Sequence, residues 1–191
     1  MALKSKVKKI ICPLGVGEHF EHWNFDTENI IEEDWDSAID FGDLKIFLMT
    51  AQHFSGRFLK KNPTEWCSYV FVTKDKKIFC SGDGGYSEHF KMIGEKFGEF
   101  DFAFLENGQY NIAWHAIHCL PEETAQAAVD IHAKKVVPIH GGKFALARHA
   151  WNENYIDLQK FSRDKNYQLL TPRIGELIQF DGENNFTDWF A

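Results

Sequence analysis

Cysteine, positive charge and long apolar runs are all scarce in this chain of 191 residues. Its four cysteines, Cys12, Cys67, Cys80 and Cys119, are scattered and form no Cys-x-x-Cys pair. That argues against a disulfide framework and fits reduced, mostly buried thiols in a cytoplasmic protein. Lysine and arginine together number 21 against 28 aspartates and glutamates, a formal net charge of −7. Binding to nucleic acid or to an anionic membrane needs clustered positive charge, so neither partner is expected. No segment approaches the roughly 18 apolar residues of a membrane span. Lys4, Lys6, Lys8 and Lys9 before Ile10-Ile11-Cys12 imitate a signal peptide, but Pro13 and Gly15 break the run early and no small-residue cleavage site follows. No repeat, low-complexity tract or Gly/Ser linker divides the chain, so 1–191 is read as a single domain.

What is present is apolar bulk: 44% hydrophobic residues, with 18 Phe and 6 Trp. This is too much for a disordered chain, and a domain of this length buries about 70% of its unfolded surface. Strands are expected at 8–12, 30–31, 44–49 and 100–105, and a hairpin at 66–73 and 77–81 about Lys74-Asp75-Lys76. Short helices are expected at 17–23 and at 87–97, the second with Ser87 as N-cap and Gly98 just past its end. Pro121, with Glu122 and Glu123 in the first turn, opens the clearest helix, 121–133. A strand at 135–139, a helix at 154–165 and late strands at 167–170 and 176–180 follow. Strand–helix alternation after a hairpin implies a layered α/β domain with a mixed sheet.

Four strands run straight into polar residues. Leu44–Met49 leads to His53, Lys77–Ser81 to Asp83, Phe100–Leu105 to Glu106-Asn107-Gly108, and Lys135–Ile139 to His140. Ligands of layered α/β folds gather beyond the carboxyl ends of strands. His53, Asp83 and His140 could therefore share one crevice, and imidazole with carboxylate suits Zn²⁺, Mn²⁺ or Fe²⁺. Each also has an ordinary explanation: a loop histidine, an Asp-Gly turn, the end of a strand.

These residues carry a family likeness. The segments Ala51-Gln52-His53-Phe54-Ser55-Gly56-Arg57, Ser81-Gly82-Asp83-Gly84-Gly85-Tyr86 and Ile139-His140-Gly141-Gly142-Lys143-Phe144 resemble successive motifs of metallo-β-lactamase-fold hydrolases. The nearest branch is that of N-acyl-phosphatidylethanolamine-hydrolysing phospholipase D, with L-ascorbate-6-phosphate lactonase more distant. The likeness runs from about Lys6 to Trp151. It implies a four-layer αββα sandwich and a two-metal site, with His53 on one ion, His140 on the other and Asp83 bridging. Zinc is favoured, with manganese or iron as alternatives. It also gives His118, before Pro121-Glu122-Glu123, a substrate-contact or proton-transfer role, and places Tyr110 and Trp114 in the substrate pocket. Aromatic packing under a loop is an equal reading of those two. His115, His19, His22, His89, His132 and His149 have no motif support and are read as surface or packing residues.

Three departures qualify the likeness. The family's His-x-His-x-Asp-His signature is absent from the chain. Since it lies shortly before the segment matched here by 2–14, the N-terminal portion of the fold is expected to be missing. Gly142 stands where relatives often carry Trp, and Gly84 and Phe58 also deviate. The implied function is metal-dependent hydrolysis of a phosphodiester, lactone or related ester. The alternatives are a truncated, non-catalytic paralogue and a small-molecule or metal-binding module, either forming a homo-oligomer to cover an exposed sheet.

Overall fold

The computed structural model describes residues 4–57 and 60–191, so Phe58 and the first three residues lie outside the described part. The elements in chain order are β1 (Ile10–Pro13), α1 (Gly17–His22), β2 (Ile30–Glu33), β3 (Ala38–Phe41), β4 (Leu44–Met49), β5 (Gly56–Arg57), β6 (Lys60–Lys61), β7 (Ser68–Val72) and β8 (Lys77–Cys80). Then come α2 (His89–Phe97), β9 (Phe102–Glu106), α3 (Pro121–Asp130), β10 (Lys135–Ile139), α4 (Glu153–Ser162) and β11 (Gln168–Leu169). Seven strands form the main sheet in the order β11-β10-β9-β8-β7-β4-β3, and β1-β2 and β5-β6 form two-stranded ribbons. The fold is mixed α/β, as the alternation implied.

The β7–β8 hairpin is made where expected. Tyr69 pairs with Cys80 and Val72 with Lys77, and the turn closes through Thr73 N–H to the Lys76 carbonyl (2.9 Å). The strands from β8 to β11 are parallel, joined through α2, α3 and α4 as parallel strands must be. The period-2 pattern sorts side chains onto two faces. Val70, Phe79, Ala103, Leu105 and Val136 pack with Phe90 and Ile93 of α2 and with Ala127 and Ala128 of α3. On the other face Phe102, Val137 and Leu170 meet Ile178 and Phe186 of the C-terminal segment. Gly94 lets α2 approach α3 closely, because a Cβ there would collide with the Asp130 carbonyl.

Four local expectations change. Ser87 is not the N-cap of α2: Glu88 holds that position, and Ser87 Oγ is engaged by His89 Nδ1 at 2.6 Å. The third helix stops at Asp130 rather than Ala133, because His132 turns left-handed (φ +56°) and sends Ala133 to bridge Phe100. Strand β3 was not foreseen; it pairs antiparallel with β4 across the two residues Gly42-Asp43. No strand forms at 176–180. There Asn184 takes a strand's place, accepting from Gln179 N–H and donating to the Gln179 carbonyl, both at 2.8 Å.

Candidate metal centre

Sheet direction decides which loops meet. β4 is antiparallel to β7, and β7 to β8, so β4 runs with β8. β9 and β10 are parallel to β8. All four strands therefore end at the same edge, and the loops carrying His53, Asp83, Glu106 and His140 converge there.

Asp83 is the centre of the group. Its Oδ2 lies 3.4 Å from His53 Nε2, and its Oδ1 lies 3.4 Å from His140 Nε2 and 3.1 Å from His118 Nδ1. The Asp83 Oδ1 atom is itself buried yet accepts no hydrogen bond. An orphaned carboxylate oxygen among imidazoles is what a cation site needs. Burial pushes the Asp83 carboxyl up, but His118, His140 and His53 outweigh it and hold the group below its ordinary value. His53 is oriented by its Nδ1, which meets the Phe54 carbonyl at 2.7 Å, leaving Nε2 toward Asp83. His140 sits at φ +69°, a left-handed conformation unfavourable for a residue with a Cβ.

Glu106, at the end of β9, joins the cluster: one donor atom each from Asp83, Glu106, His118 and His140 lie within 4.8 Å of one another. Sequence alone does not single this residue out. Its position at one of the four strand ends was the available signal, masked because a glutamate there looks solvated; in fact it is 1% exposed. His118, placed between Asp83 and Glu106, is pushed up to about 9 by those two carboxylates, against the effect of burial.

A profile of the beta-lactamase superfamily domain matches residues 2–141. The chain belongs to the beta-lactamase superfamily. It is 35% identical over 183 residues to an uncharacterized protein of Mycobacterium tuberculosis, covering 94% of this chain and 49% of that one. It is 30% identical over 169 residues to the mitochondrial N-acyl-phosphatidylethanolamine-hydrolyzing phospholipase D of Saccharomyces cerevisiae, covering 81% of this chain and 36% of that one. The chain thus spans about half the length, or less, of these two relatives. Among solved structures, Igni18, a metallo hydrolase of Ignicoccus hospitalis, shares the fold. The TM-score is 0.64 at 18% identity, over 89% of this chain and 67% of that chain.

In this superfamily member a cavity of about 360 Å³ adjoins the cluster, lined by His118 and His140 with Gln109, Trp114, Lys143 and Phe144 among its walls. Trp114 lies in the wall of this cavity. Tyr110 faces α4 instead: its hydroxyl donates to Glu153 Oε1 (2.8 Å) and its ring stacks on His149 with centroids 4.3 Å apart. Beside Gly142, where a Cβ would meet the Tyr155 hydroxyl at 3.2 Å, Ile174 and Trp189 lie within 4 Å of the same point. His19, His22, His115 and His132 are exposed. His89 is buried, and burial alone lowers its imidazole to about 4. The four cysteines are free thiols, and no described helix is long and apolar enough to cross a membrane.

Proposed function

We propose that this chain takes part in metal-dependent hydrolysis of a small ester, lactone or phosphoester, with His53, Asp83 and His140 as ligands of a divalent centre. The observation that carries the reading is the Asp83 carboxylate, flanked by an imidazole on each oxygen, with its buried Oδ1 accepting no hydrogen bond. A carboxylate with two free lone-pair directions suits a bridging position, and two imidazoles with one carboxylate favour zinc over manganese or iron. A bound divalent ion supplies an acidified water and polarises the oxygen of the scissile bond.

The chain's own side chains supply the rest. His118 carries a proton at Nδ1 between Asp83 and Glu106 and lines the cavity. With Nδ1 so occupied, Nε2 on the opposite edge of the ring is the atom free to meet a substrate oxygen or pass it a proton. Trp114 and Phe144 offer apolar wall, and Lys143 offers a cation suited to an anionic phosphoester. The four free thiols support a cytoplasmic setting. One observation favours a second reading, a non-catalytic binding module: the chain contains no His-x-His-x-Asp-His.

Elemental analysis after dialysis against Zn²⁺ tests this. The wild-type chain is expected to retain at least one equivalent, and Asp83→Ala and His140→Ala to retain none. Hydrolysis of a chromogenic phosphodiester, if present, is expected to stop with a chelator. A chain that retains no metal sinks the reading; one that retains metal without turnover points to the binding module.

A further inference from the structure

Glu106 is the most completely engaged side chain in the strand-end loops. It is 1% exposed. Its N–H donates to Ser81 Oγ (2.9 Å), and its carbonyl accepts from Thr124 Oγ1 (2.8 Å). Its carboxylate does three further things. Oε1 accepts the Gly108 N–H (3.0 Å) and meets His118 Nδ1 (3.3 Å), and Oε2 accepts the Cys119 N–H (2.9 Å). One residue thereby ties together the Asp83 loop through Ser81, its own loop through Gly108, the His118-Cys119 loop, and the first turn of α3 through Thr124.

Two roles compete for such a carboxylate. Its proximity to the Asp83, His118 and His140 donor atoms allows it to be a metal ligand. The hydrogen bonds argue otherwise. Each oxygen already accepts a backbone N–H. Asp83 Oδ1 lies nearer to His118 Nδ1, at 3.1 Å, yet accepts no hydrogen bond. The bond from the ring is made to Glu106. Asp83 is thus left with an oxygen unspent, while both oxygens of Glu106 are engaged. A carboxylate that fixes the Nδ1 edge of an imidazole sets the ring plane and leaves Nε2 presented to whatever occupies the cavity.

We propose that Glu106 is a positioning residue. It orients His118 by accepting from Nδ1 while clamping the backbone of the loop that carries His118, and it is not itself a metal ligand. What His118 then does rests on the hydrolytic reading above; how it is held does not.

The test is the exchange of the His118 Hδ1 proton with water, followed by NMR on the ¹⁵N-labelled, metal-free full chain at one pH. Retained Zn²⁺ is measured in parallel. The wild type is expected to show a protected low-field Hδ1 line. Glu106→Ala, which leaves room for waters to meet the two freed N–H groups, is expected to exchange at least tenfold faster with Zn²⁺ content within twofold of wild type. Thr124→Val removes a hydrogen bond to the same residue without touching its carboxylate. It is expected to lower the melting temperature and leave the line in place, so a purely structural role would make the two variants alike. Should Glu106→Ala not fold, Glu106→Asp, one methylene too short to hold all three donors, is expected to speed the exchange likewise. A line that survives in the Glu106 variants, or is absent from the wild type, overturns the proposal. So does a more than tenfold loss of Zn²⁺ in the Glu106 variant, which would make it a ligand. A wild type that retains no Zn²⁺ overturns the metal reading alone, and the line still decides the role of Glu106.

Discussion

His89 and His118 are both drawn into the protein, yet they are driven in opposite directions. His89 belongs to the helical layer. It is 6% exposed, packs against the ring of Phe90 at 4.1 Å between centroids, and its Nδ1 meets the Ser87 hydroxyl rather than a carboxylate. Burial without a counter-charge lowers it to about 4. His118 belongs to the strand-end loops, where Asp83 and Glu106 raise it to about 9. The comparison extends to the regions around them. Between α2, α3 and the sheet, alanine, phenylalanine and isoleucine interlock. At the strand ends, carboxylates and imidazoles crowd together, one carboxylate oxygen goes unpartnered, and His140 holds a strained backbone. The first region is built for stability. The second gathers charge around an unpartnered oxygen and a strained backbone, which is the mark of a site.

The harshest way to break this division is to damage the helical layer and watch the loops. Phe79 is fully buried and touches Phe90 and Phe100. Phe79→Ala is expected to cost about 3–5 kcal/mol in chemical denaturation, the usual range for emptying an aromatic site in a core. Folded protein is nevertheless expected to keep its Zn²⁺ content, because none of the clustered donors belongs to this packing. Loss of metal from the folded fraction would show the two regions to be one.

Acid and base should separate the two histidines more gently. His89 has a folded pKa below its unfolded value, so the unfolded chain binds the extra proton; its stabilising effect is present above about 6.5 and is lost as pH falls toward 4. His118 in the metal-free chain has a folded pKa above its unfolded value; its contribution is present below about 6.5 and is lost as pH rises toward 9. Each limb amounts to roughly 1–3 kcal/mol. Melting temperature against pH is expected to form a dome in the metal-free chain. His89→Gln should flatten its acid side and His118→Gln its alkaline side. A variant that flattened the opposite limb would contradict the assignment.

The same division governs how much the sequence revealed. The hairpin about Lys74-Asp75-Lys76, the helix opened by Pro121 and the strand at 135–139 were legible because apolar periodicity and capping residues state them locally. The segment 176–180 was misread as a strand because its apolar residues cover a sheet face without pairing to an edge, a distinction only tertiary contacts make. At the site, imidazoles just past strands stood out, since histidine is uncommon and its chemistry narrow. Glu106 did not, because nothing local distinguishes a buried glutamate from a solvated one. Tyr110 could not be assigned from composition either: an aromatic loop residue reads alike whether it lines a cavity or rests on α4.

The mildest probe lies on the seam between the regions. Glu123 accepts the Leu120 N–H at 2.8 Å and so fastens the start of α3, three residues after His118 begins the approach to it. Glu123→Ala frees one helix-terminal donor and removes a negative charge from the positive end of the helix. The expected cost is about 1 kcal/mol. Its reach is the sharper measurement. Cys119 N–H is held separately by Glu106, so fraying at Leu120 should stop there, leaving the His118 Hδ1 line unchanged while amide exchange in the first turn of α3 accelerates. If the line broadens with the helix, His118 takes its position from the helical layer as well as from Glu106, and the boundary between the two regions must be drawn one turn deeper into α3.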